Sequence, residues 1–549
     1  MSGPETRNIA ATLPAMARAR PDALAVVCPA GRDRAGRPRH THWTFRQLDR
    51  ESDAAARGLE RLGIGRGTRT VLMVKPSLEF FALTFALFKA GAVPVLIDPG
   101  MGTRNLGQCL AEAAPEAFLG IPRAQLARRV LGWGKATIRI ALTVAPPCRL
   151  PGPRHSIEPY PIAPVSADEI AAVLFTSGST GPPKGAVYTH SIFNAQVEIL
   201  RDLYGIAPGE IDLCTFPLFA LFGPALGMTS IIPEMDFTRP GQVDPGVILR
   251  AIEDFGVTNM FGSPALVRRV GDFGASRGVT LPSLKRVISA GAPVPANVLE
   301  QFATMLGPEA RIFTPYGATE ALPVCSIDHR EILGAARHAT DRGAGVCVGR
   351  PVPGMRVAVI AIRDGPIPAW SDDLLVPDGT VGEIVVQGPV VTRAYDHRPE
   401  ATALAKIADP GAGQGGFRHR MGDLGVRDDQ GRIWFRGRKA HRVVTARGTL
   451  FTIPCEAVFN THPEVARTAL VGVGPSGAAR PVLWVEPARR LGRADRKRVA
   501  RDLREIALAH PHTQEIETFL FHRSFPVDVR HNAKIFREKL AALAARRRT

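Results

Sequence analysis

Ile170-Ala-Ala-Val-Leu-Phe175 runs directly into Thr176-Ser-Gly-Ser-Thr-Gly-Pro-Pro-Lys-Gly185. The first stretch is a continuous apolar run of strand length and reads as a buried strand. The second gathers hydroxyl residues, glycines and one lysine in a composition suited to holding a polyphosphate. Glycines let backbone N–H groups approach phosphate oxygens, Ser and Thr hydroxyls add donors, and Lys184 adds a point charge. The loop is not a Walker A motif, because Pro183 precedes Lys184 where that motif needs glycine and Gly185 follows where it needs Ser or Thr. A surface Ser/Gly turn is the plain alternative, but turn-making alone rarely demands this composition.

Upstream of the loop, helix and strand patterns alternate. Residues 43–62 read as a helix, 70–74 as a strand, 77–90 as a helix and 93–97 as a strand. That rhythm predicts βαβ units and a mainly parallel sheet. The proline-rich residues 146–164 read as a connector. Downstream, Ser191 is placed to cap a helix carrying Ile192, Ala195, Val197, Leu200 and Leu203, stopped by Gly205. Residues 255–261 and 285–289 read as strands. From Gly345 to Tyr395 the chain turns strand-rich, with 356–361 and 382–387 as examples, and predicts a small antiparallel sheet or barrel. Gly411-x-Gly-x-x-Gly416 matches a dinucleotide fingerprint in form only: no strand precedes it and Pro410 adjoins it, so it reads as a surface loop. From Arg438 onward, separate strand and helix signals end in a helix at 533–545. The expected division is 1–437 for the large domain and 438–549 for the small one.

A chain of 549 residues predicts more than one lobe. With 45% hydrophobic and 22% charged residues it reads as a soluble globular protein. Seven scattered cysteines without a CxxC pair argue against a disulfide framework or a zinc site and suit a reducing cytosol. The net charge of +18 favours anionic ligands. No zinc-finger spacing, aromatic RNA-binding motif or basic zipper accompanies it, so nucleic acid is not expected as a partner. The terminal Arg546-Arg547-Arg548 reads as a solvated tail. No signal peptide is expected, because Glu5 and Pro14 interrupt the start. Residues 80–88 are strongly apolar but are closed off by Glu79 and Lys89 short of a membrane span, and read as a buried amphipathic helix. The expected location is cytoplasmic, without a transmembrane segment.

Three further stretches carry chemistry. Thr314-Pro-Tyr-Gly-Ala-Thr-Glu320 offers Tyr316 to stack on a base, Thr319 to donate to a phosphate and Glu320 to hold Mg²⁺; alone, a Tyr/Gly turn is common. In Met421-Gly-Asp-Leu-Gly425, Asp423 is suited to accept from two ribose hydroxyls, with Arg438 nearby; an Asp before Leu-Gly equally makes an ordinary turn. His531-Asn-Ala-Lys-Ile-Phe-Arg537 places Lys534 at a helix start, where a lone lysine is usually just exposed.

In combination and in this order, these stretches resemble the adenylate-forming superfamily of acyl-CoA synthetases, luciferases and peptide-synthetase adenylation domains. The resemblance implies an α/β fold: a large N-terminal domain of two αβ sheet subdomains plus a small β-barrel, with a small mobile α+β C-terminal domain. It implies ATP and Mg²⁺, and activation of a carboxylate by attack on the α-phosphate. By position, Ser177, Gly178, Ser179, Thr180, Gly181 and Lys184 match the phosphate loop, headed by Thr176 as a catalytic residue. Gly291, Ala292, Pro293, Tyr316 and Gly317 match the adenine side. Thr319 and Glu320 match the phosphate and metal contacts, Asp423 and Arg438 the ribose contacts, and Lys534 the catalytic lysine.

Within the superfamily, Ala220, Ala440 and Ala533 depart from ordinary CoA ligases, at positions usually held by His, by a hinge Asp or Lys, and by Gly. Residues 215–227, 315–323 and 525–534 are similar to the OleC-type β-lactone synthetases of bacterial olefin biosynthesis. That likeness implies a 2-alkyl-3-hydroxy fatty acid whose own hydroxyl attacks the acyl-adenylate, giving a β-lactone, AMP and diphosphate. Tethered attack of this kind is worth about 7–11 kcal/mol. It also implies neighbouring pathway enzymes, a reductase that forms the hydroxy acid and a β-lactone decarboxylase. The alternatives are a long-chain fatty acyl-CoA ligase and a stand-alone carrier-loading adenylation protein. Phe219, Phe222, Leu226 and Met228 read equally as an acyl pocket or as an ordinary core helix. His190 and His531 lie beside key motifs, and neither is assigned as a base.

Overall fold

The computed structural model describes residues 7–145, 158–176, 182–413, 415–527 and 535–547. Two mainly parallel sheets form most of the large N-terminal domain. The first has six strands in the order Ile140–Thr143, Ala117–Gly120, Arg69–Met73, Val93–Leu96, Ile170–Phe175 and Gly185–Thr189, all parallel except the last pair. The second has seven, from Arg311–Phe313 through Arg286–Ile288, Asn259–Phe261, Ile211–Cys214 and Thr229–Ile231 to Leu24–Arg32 and an antiparallel edge strand, Pro38–Thr44. An eight-stranded antiparallel sheet takes in the stretch 345–395 expected to be strand-rich but is larger, drawing strands from Tyr316–Ala318 to Ile433–Arg438; its strands Gly382–Gln387, Phe417–Arg427 and Ile433–Arg438 pair side by side. The small C-terminal domain holds a three-stranded sheet, Val465–Val473, Arg480–Pro487 and Thr518–Phe521, with its own core around Val458, Leu470, Leu483 and Leu503.

Several boundaries move for identifiable reasons. The first long helix is Phe45–Arg61: Trp43 and Thr44 belong to the edge strand, and Thr44 makes a reciprocal capping box with Gln47. The helix at His190–Tyr204 is capped by Thr189 rather than Ser191, because the preceding strand ends at Thr189 and its hydroxyl accepts from the Ile192 amide. Residues 255–261 are not one strand. Phe255 closes the helix Pro245–Phe255, Gly256 takes the left-handed conformation, and only Asn259–Phe261 is strand. The last helix runs Arg537–Arg546, and Ala533 and Lys534 lie outside the described residues.

The apolar helix Leu78–Lys89 is buried on every face rather than amphipathic. It shares one core with Phe45, Leu48 and Leu59 and with the strand residues Val26 and Leu72. Its final Lys89 is also buried and pairs with Asp49 at 2.5 Å and Asp53 at 2.6 Å. No helix among the described residues is long and apolar enough to cross a membrane. The six cysteines among the described residues are buried and free.

Candidate active site

In parallel sheets, side chains and loops converge beyond the carboxyl ends of the strands. Here both parallel sheets open into one cavity of about 1360 Å³. Met73, Ile97 and Thr176 reach it from the first sheet, Thr215, Phe261, Gly291 and Pro315 from the second. The antiparallel sheet closes the far side with residues 317–320, Met421 and Arg438.

The opening stretch of sequence forms a hairpin connection. Strands Ile170–Phe175 and Gly185–Thr189 are antiparallel, and the Thr176 amide donates to the Lys184 carbonyl at 2.9 Å. Thr176 and Lys184 both line the cavity. Ser177, Gly178, Ser179, Thr180 and Gly181 lie outside the described residues, as do His531 and Lys534.

Opposite the hairpin, the short strand Tyr316–Ala318 and the turn at 319–320 are held from several directions. A Cβ on Gly317 would fall 2.5 Å from the Ala321 carbonyl oxygen, so this close approach requires glycine. The Tyr188 hydroxyl donates to the Thr319 carbonyl at 2.6 Å. The Glu320 carbonyl accepts from the Thr392 amide at 2.9 Å and from its hydroxyl at 3.1 Å. The Tyr395 hydroxyl donates to Glu320 Oε1 at 2.7 Å. Burial, reinforced by the Glu320 charge, holds the Tyr395 phenol far above its usual range, so it remains a donor. Lys184 Nζ sits 4.9 Å from the centre of the same tyrosine ring. Behind this layer, Lys406 donates to the Thr392 carbonyl. Burial pushes its ammonium down to about 7, and the Glu320 charge works against that shift.

Asp423 and Arg438 are brought together by strand register, being direct partners across the antiparallel pair. Arg438 Nη1 lies 3.1 Å from Asp423 Oδ1, and the Tyr316 hydroxyl donates to Oδ2 at 2.7 Å. The Asp423 charge raises the Arg438 guanidinium further. Arg438 lines the cavity, and these contacts tie Tyr316 and Asp423 to it. Gly291 lines the cavity with a φ of 98°, open to glycine, and Ala292 and Pro293 follow it in the chain. Just past the strand Ile433–Arg438, Lys439 pairs with Glu383 at 3.0 Å, and Ala440 lines the cavity.

The rest of the cavity is an apolar arm. Phe219 and Phe222 line it with Phe85, Phe88 and Phe193. Phe219 packs edge-on to Phe261 with ring centres 4.5 Å apart. Leu226 and Met228 do not line it; both are buried in the core beside Phe88 and Val197. The stretch after Phe216 is thus divided. Two four-residue helices, Pro217–Ala220 and Phe222–Ala225, present Phe219 and Phe222 to the arm, and the chain then turns inward. His190 is 1% exposed, and its Nδ1 accepts from the Ile9 amide at 3.3 Å. Burial pushes its ring down to about 4, so it is a neutral structural acceptor rather than a group facing the cavity.

Sequence reasoning did not single out Tyr188, Gln196, Tyr395 or Lys406. None lies within the motifs quoted from the sequence, and no local spacing marks it.

The description "AMP-binding enzyme" matches residues 13–396. The olefin beta-lactone synthetase of Xanthomonas campestris pv. campestris is 50% identical over 550 residues, covering 98% of each chain. The protein of that description from Stenotrophomonas maltophilia is 51% identical, again over 98% of each. Among solved structures, o-succinylbenzoate coenzyme A synthetase of Bacillus subtilis, in complex with ATP and magnesium ion, superposes with a TM-score of 0.74 at 18% identity, covering 96% of this chain and 98% of that one.

Proposed function

Since the chain belongs to the AMP-binding enzymes, and within them to the family of the olefin β-lactone synthetases, we propose that it converts a 2-alkyl-3-hydroxy fatty acid to a β-lactone at the expense of ATP. It is an ATP-dependent, AMP-forming ligase. A carboxylate oxygen attacks the α-phosphorus and the bond to diphosphate breaks. The 3-hydroxyl oxygen of the acyl-adenylate then attacks the acyl carbon, the bond to AMP breaks, and the hydroxyl proton is lost. A strained four-membered ring needs a good leaving group, which AMP is, and a held nucleophile.

The observation that carries this reading is the continuity of one cavity, polar at Thr176, Lys184, Glu320 and Arg438 and apolar beyond Phe219 and Phe222. Thr176 and Lys184, which line it, hold the triphosphate and Thr319 adds a donor; residues 177–181 take the phosphate-loop role that their sequence implies. Gly291, Ala292, Pro293, Tyr316 and Gly317 frame the base. Asp423, fixed in direction by Tyr316 and Arg438, accepts from the ribose. Lys534 carries positive charge to the α-phosphate as it joins the carboxylate. Phe219 and Phe222 receive alkyl chains. Glu320 and the Thr176 hydroxyl are hard oxygen donors, and no group of three His, Cys, Asp or Glu side chains placed to hold a metal ion exists among the described residues. That donor set suits a Mg²⁺ held by one carboxylate and phosphate oxygens. When bound, the ion offsets negative charge on the phosphates. We place the domain boundary at 437/438, where the strand Ile433–Arg438 ends. The reading sets the enzyme in the cytoplasm, after a reductase that makes the hydroxy acid and before a β-lactone decarboxylase.

The test is incubation of protein, ATP, Mg²⁺ and a 2-alkyl-3-hydroxy acid with and without CoA, with products identified by NMR. β-Lactone and AMP without CoA are expected. A thioester formed only with CoA, or transfer of the acyl group to a phosphopantetheine carrier in place of lactone, overturns the reading.

A further inference from the structure

The helix Pro122–Leu131 begins at the rim of the cavity. Ile121, just before it, lines the cavity, as do the exposed Lys75 and Pro99 from neighbouring strand ends. The helix is bound to its sheet on one side. Ala124 is buried in a core with Phe118 and Trp133. Gln125 Nε2 donates to the Leu142 carbonyl at 2.7 Å, and the Arg128 guanidinium lies 5.7 Å from the centre of the Phe118 ring.

The other side faces outward and is partly apolar. Leu126 is 64% exposed, Val130 73% and Leu131 48%. Leu126 and Val130 are the two most exposed large hydrophobics among the described residues. Spacings of three and four put Arg123, Leu126, Arg129 and Val130 on one helix face. Apolar residues scattered singly over a surface need no explanation, but two of them one turn apart on the same face form a patch. The charge around that patch has one sign. From Ala117 to Ala145 the chain carries Arg123, Arg128, Arg129, Lys135 and Arg139 and no Asp or Glu. All but Arg128 are exposed, and none of these exposed four enters an ion pair among the described residues.

Leucine and valine set between arginines on an outward helix suit a partner that takes apolar side chains inside and meets cations at its surface. A leaflet rich in anionic lipid does both: the apolar side chains enter the acyl boundary while the guanidinium groups stay with the headgroup phosphates. A folded acidic protein would need an apolar groove shaped to this helix to do the same. We propose that the outward face of Pro122–Leu131 docks on an anionic lipid leaflet, which brings the cavity rim at Ile121 beside the membrane. The docking follows from this surface alone. Its use, the passage of lipid-soluble acids from leaflet to cavity, rests on the β-lactone reading above.

The test is cosedimentation of the full-length protein, without ATP or acid, with vesicles of phosphatidylcholine alone and of phosphatidylcholine mixed with phosphatidylglycerol. Binding is expected to the mixed vesicles, far less to the neutral ones, and less to either at high salt. Leu126→Ser combined with Val130→Ser removes apolar contact at constant charge and should lower the partition coefficient at least about tenfold. Arg123→Gln combined with Arg129→Gln should lower it about 30-fold on the mixed vesicles. Leu508→Ser alters an exposed leucine on the helix Arg493–Ala509 of the small domain and should change nothing. Circular dichroism of each variant should match that of the unaltered protein. If the serine pair fails to fold, the glutamine pair carries the test. No binding to the mixed vesicles overturns the inference and leaves the face to a protein partner or to solvent. Equal binding by the serine pair also overturns it, because the contact would then come from the positive charge of the chain at large. Failure of the β-lactone reading looks different: the protein would bind vesicles and yet make no lactone.

Discussion

The two ends of the cavity are built on different principles. At the polar end, the groups that meet phosphate and sugar in our reading are held by hydrogen bonds before any ligand arrives: Tyr395 on Glu320, Tyr188 on the Thr319 carbonyl, Tyr316 and Arg438 on Asp423. These bonds join segments far apart in the chain and leave little room for adjustment. In the phenylalanine arm, contacts are non-directional ring packings such as Phe219 with Phe222 at 6.4 Å and Phe193 with Phe222 at 6.5 Å. The first region is suited to stabilising developing charge, which requires fixed dipoles. The second is suited to accommodating volume, which tolerates graded change. Substitutions should therefore act as steep losses at one end and as shifts in chain preference at the other.

Lys534→Ala gives the largest expected effect. Diphosphate exchange should fall about 10³-fold or more while ATP binding, followed by calorimetry, persists. An unchanged exchange rate removes that lysine from the reaction. Glu320→Gln comes next, with turnover down about 10²-fold and half-saturation by Mg²⁺ moved to higher concentration. An unaltered metal titration breaks the assignment of Glu320. Phe222→Trp tests the other end. It should lower kcat/KM for the longest acids about tenfold, spare shorter ones and leave the KM for ATP unchanged. A matching rise in the KM for ATP would mean that the two ends are not independent and would break the comparison.

The polar end was far more legible in the sequence than the arm, because its parts are contiguous. Residues 170–185 announce a strand and a loop, residues 316–320 a turn with a carboxylate, and residues 421–425 an Asp suited to a sugar, although the strand that carries it, Phe417–Arg427, is not read there. Phe219 and Phe222 could not be told apart from Leu226 and Met228, since apolar spacing is the same for a cavity wall and for the core behind it. Nor does a sequence show which hydroxyl ends a strand, and Thr189 rather than Ser191 caps the following helix because the sheet stops there. Supporting groups are the hardest to read. Tyr395 meets Glu320 across 75 residues and Gln196 meets Leu322 across 126, distances that only the packing of three sheets closes.

The smallest effect concerns the frame behind the arm and has a definite pH signature. His190 lies edge-on to Phe88 at 6.2 Å, and its neutral Nδ1 receives the Ile9 amide. Burial lowers its folded value to about 4, against about 6.5 when the chain is unfolded. Above about 6.5 both states are neutral there, so stability is at its full value. As pH falls toward 4 the unfolded chain takes up a proton that the folded one refuses, and stability declines by up to about 3 kcal/mol before levelling off. His190→Asn supplies an acceptor to the Ile9 amide without a titrating ring. Denaturant melts of both proteins between pH 7 and 4 should show the variant losing less stability over this window. Since the histidine supports the arm and not the polar end, KM for long acids should rise on acidification in the unaltered protein before KM for ATP does. Parallel pH profiles for the two proteins would detach His190 from the acid sensitivity of the arm.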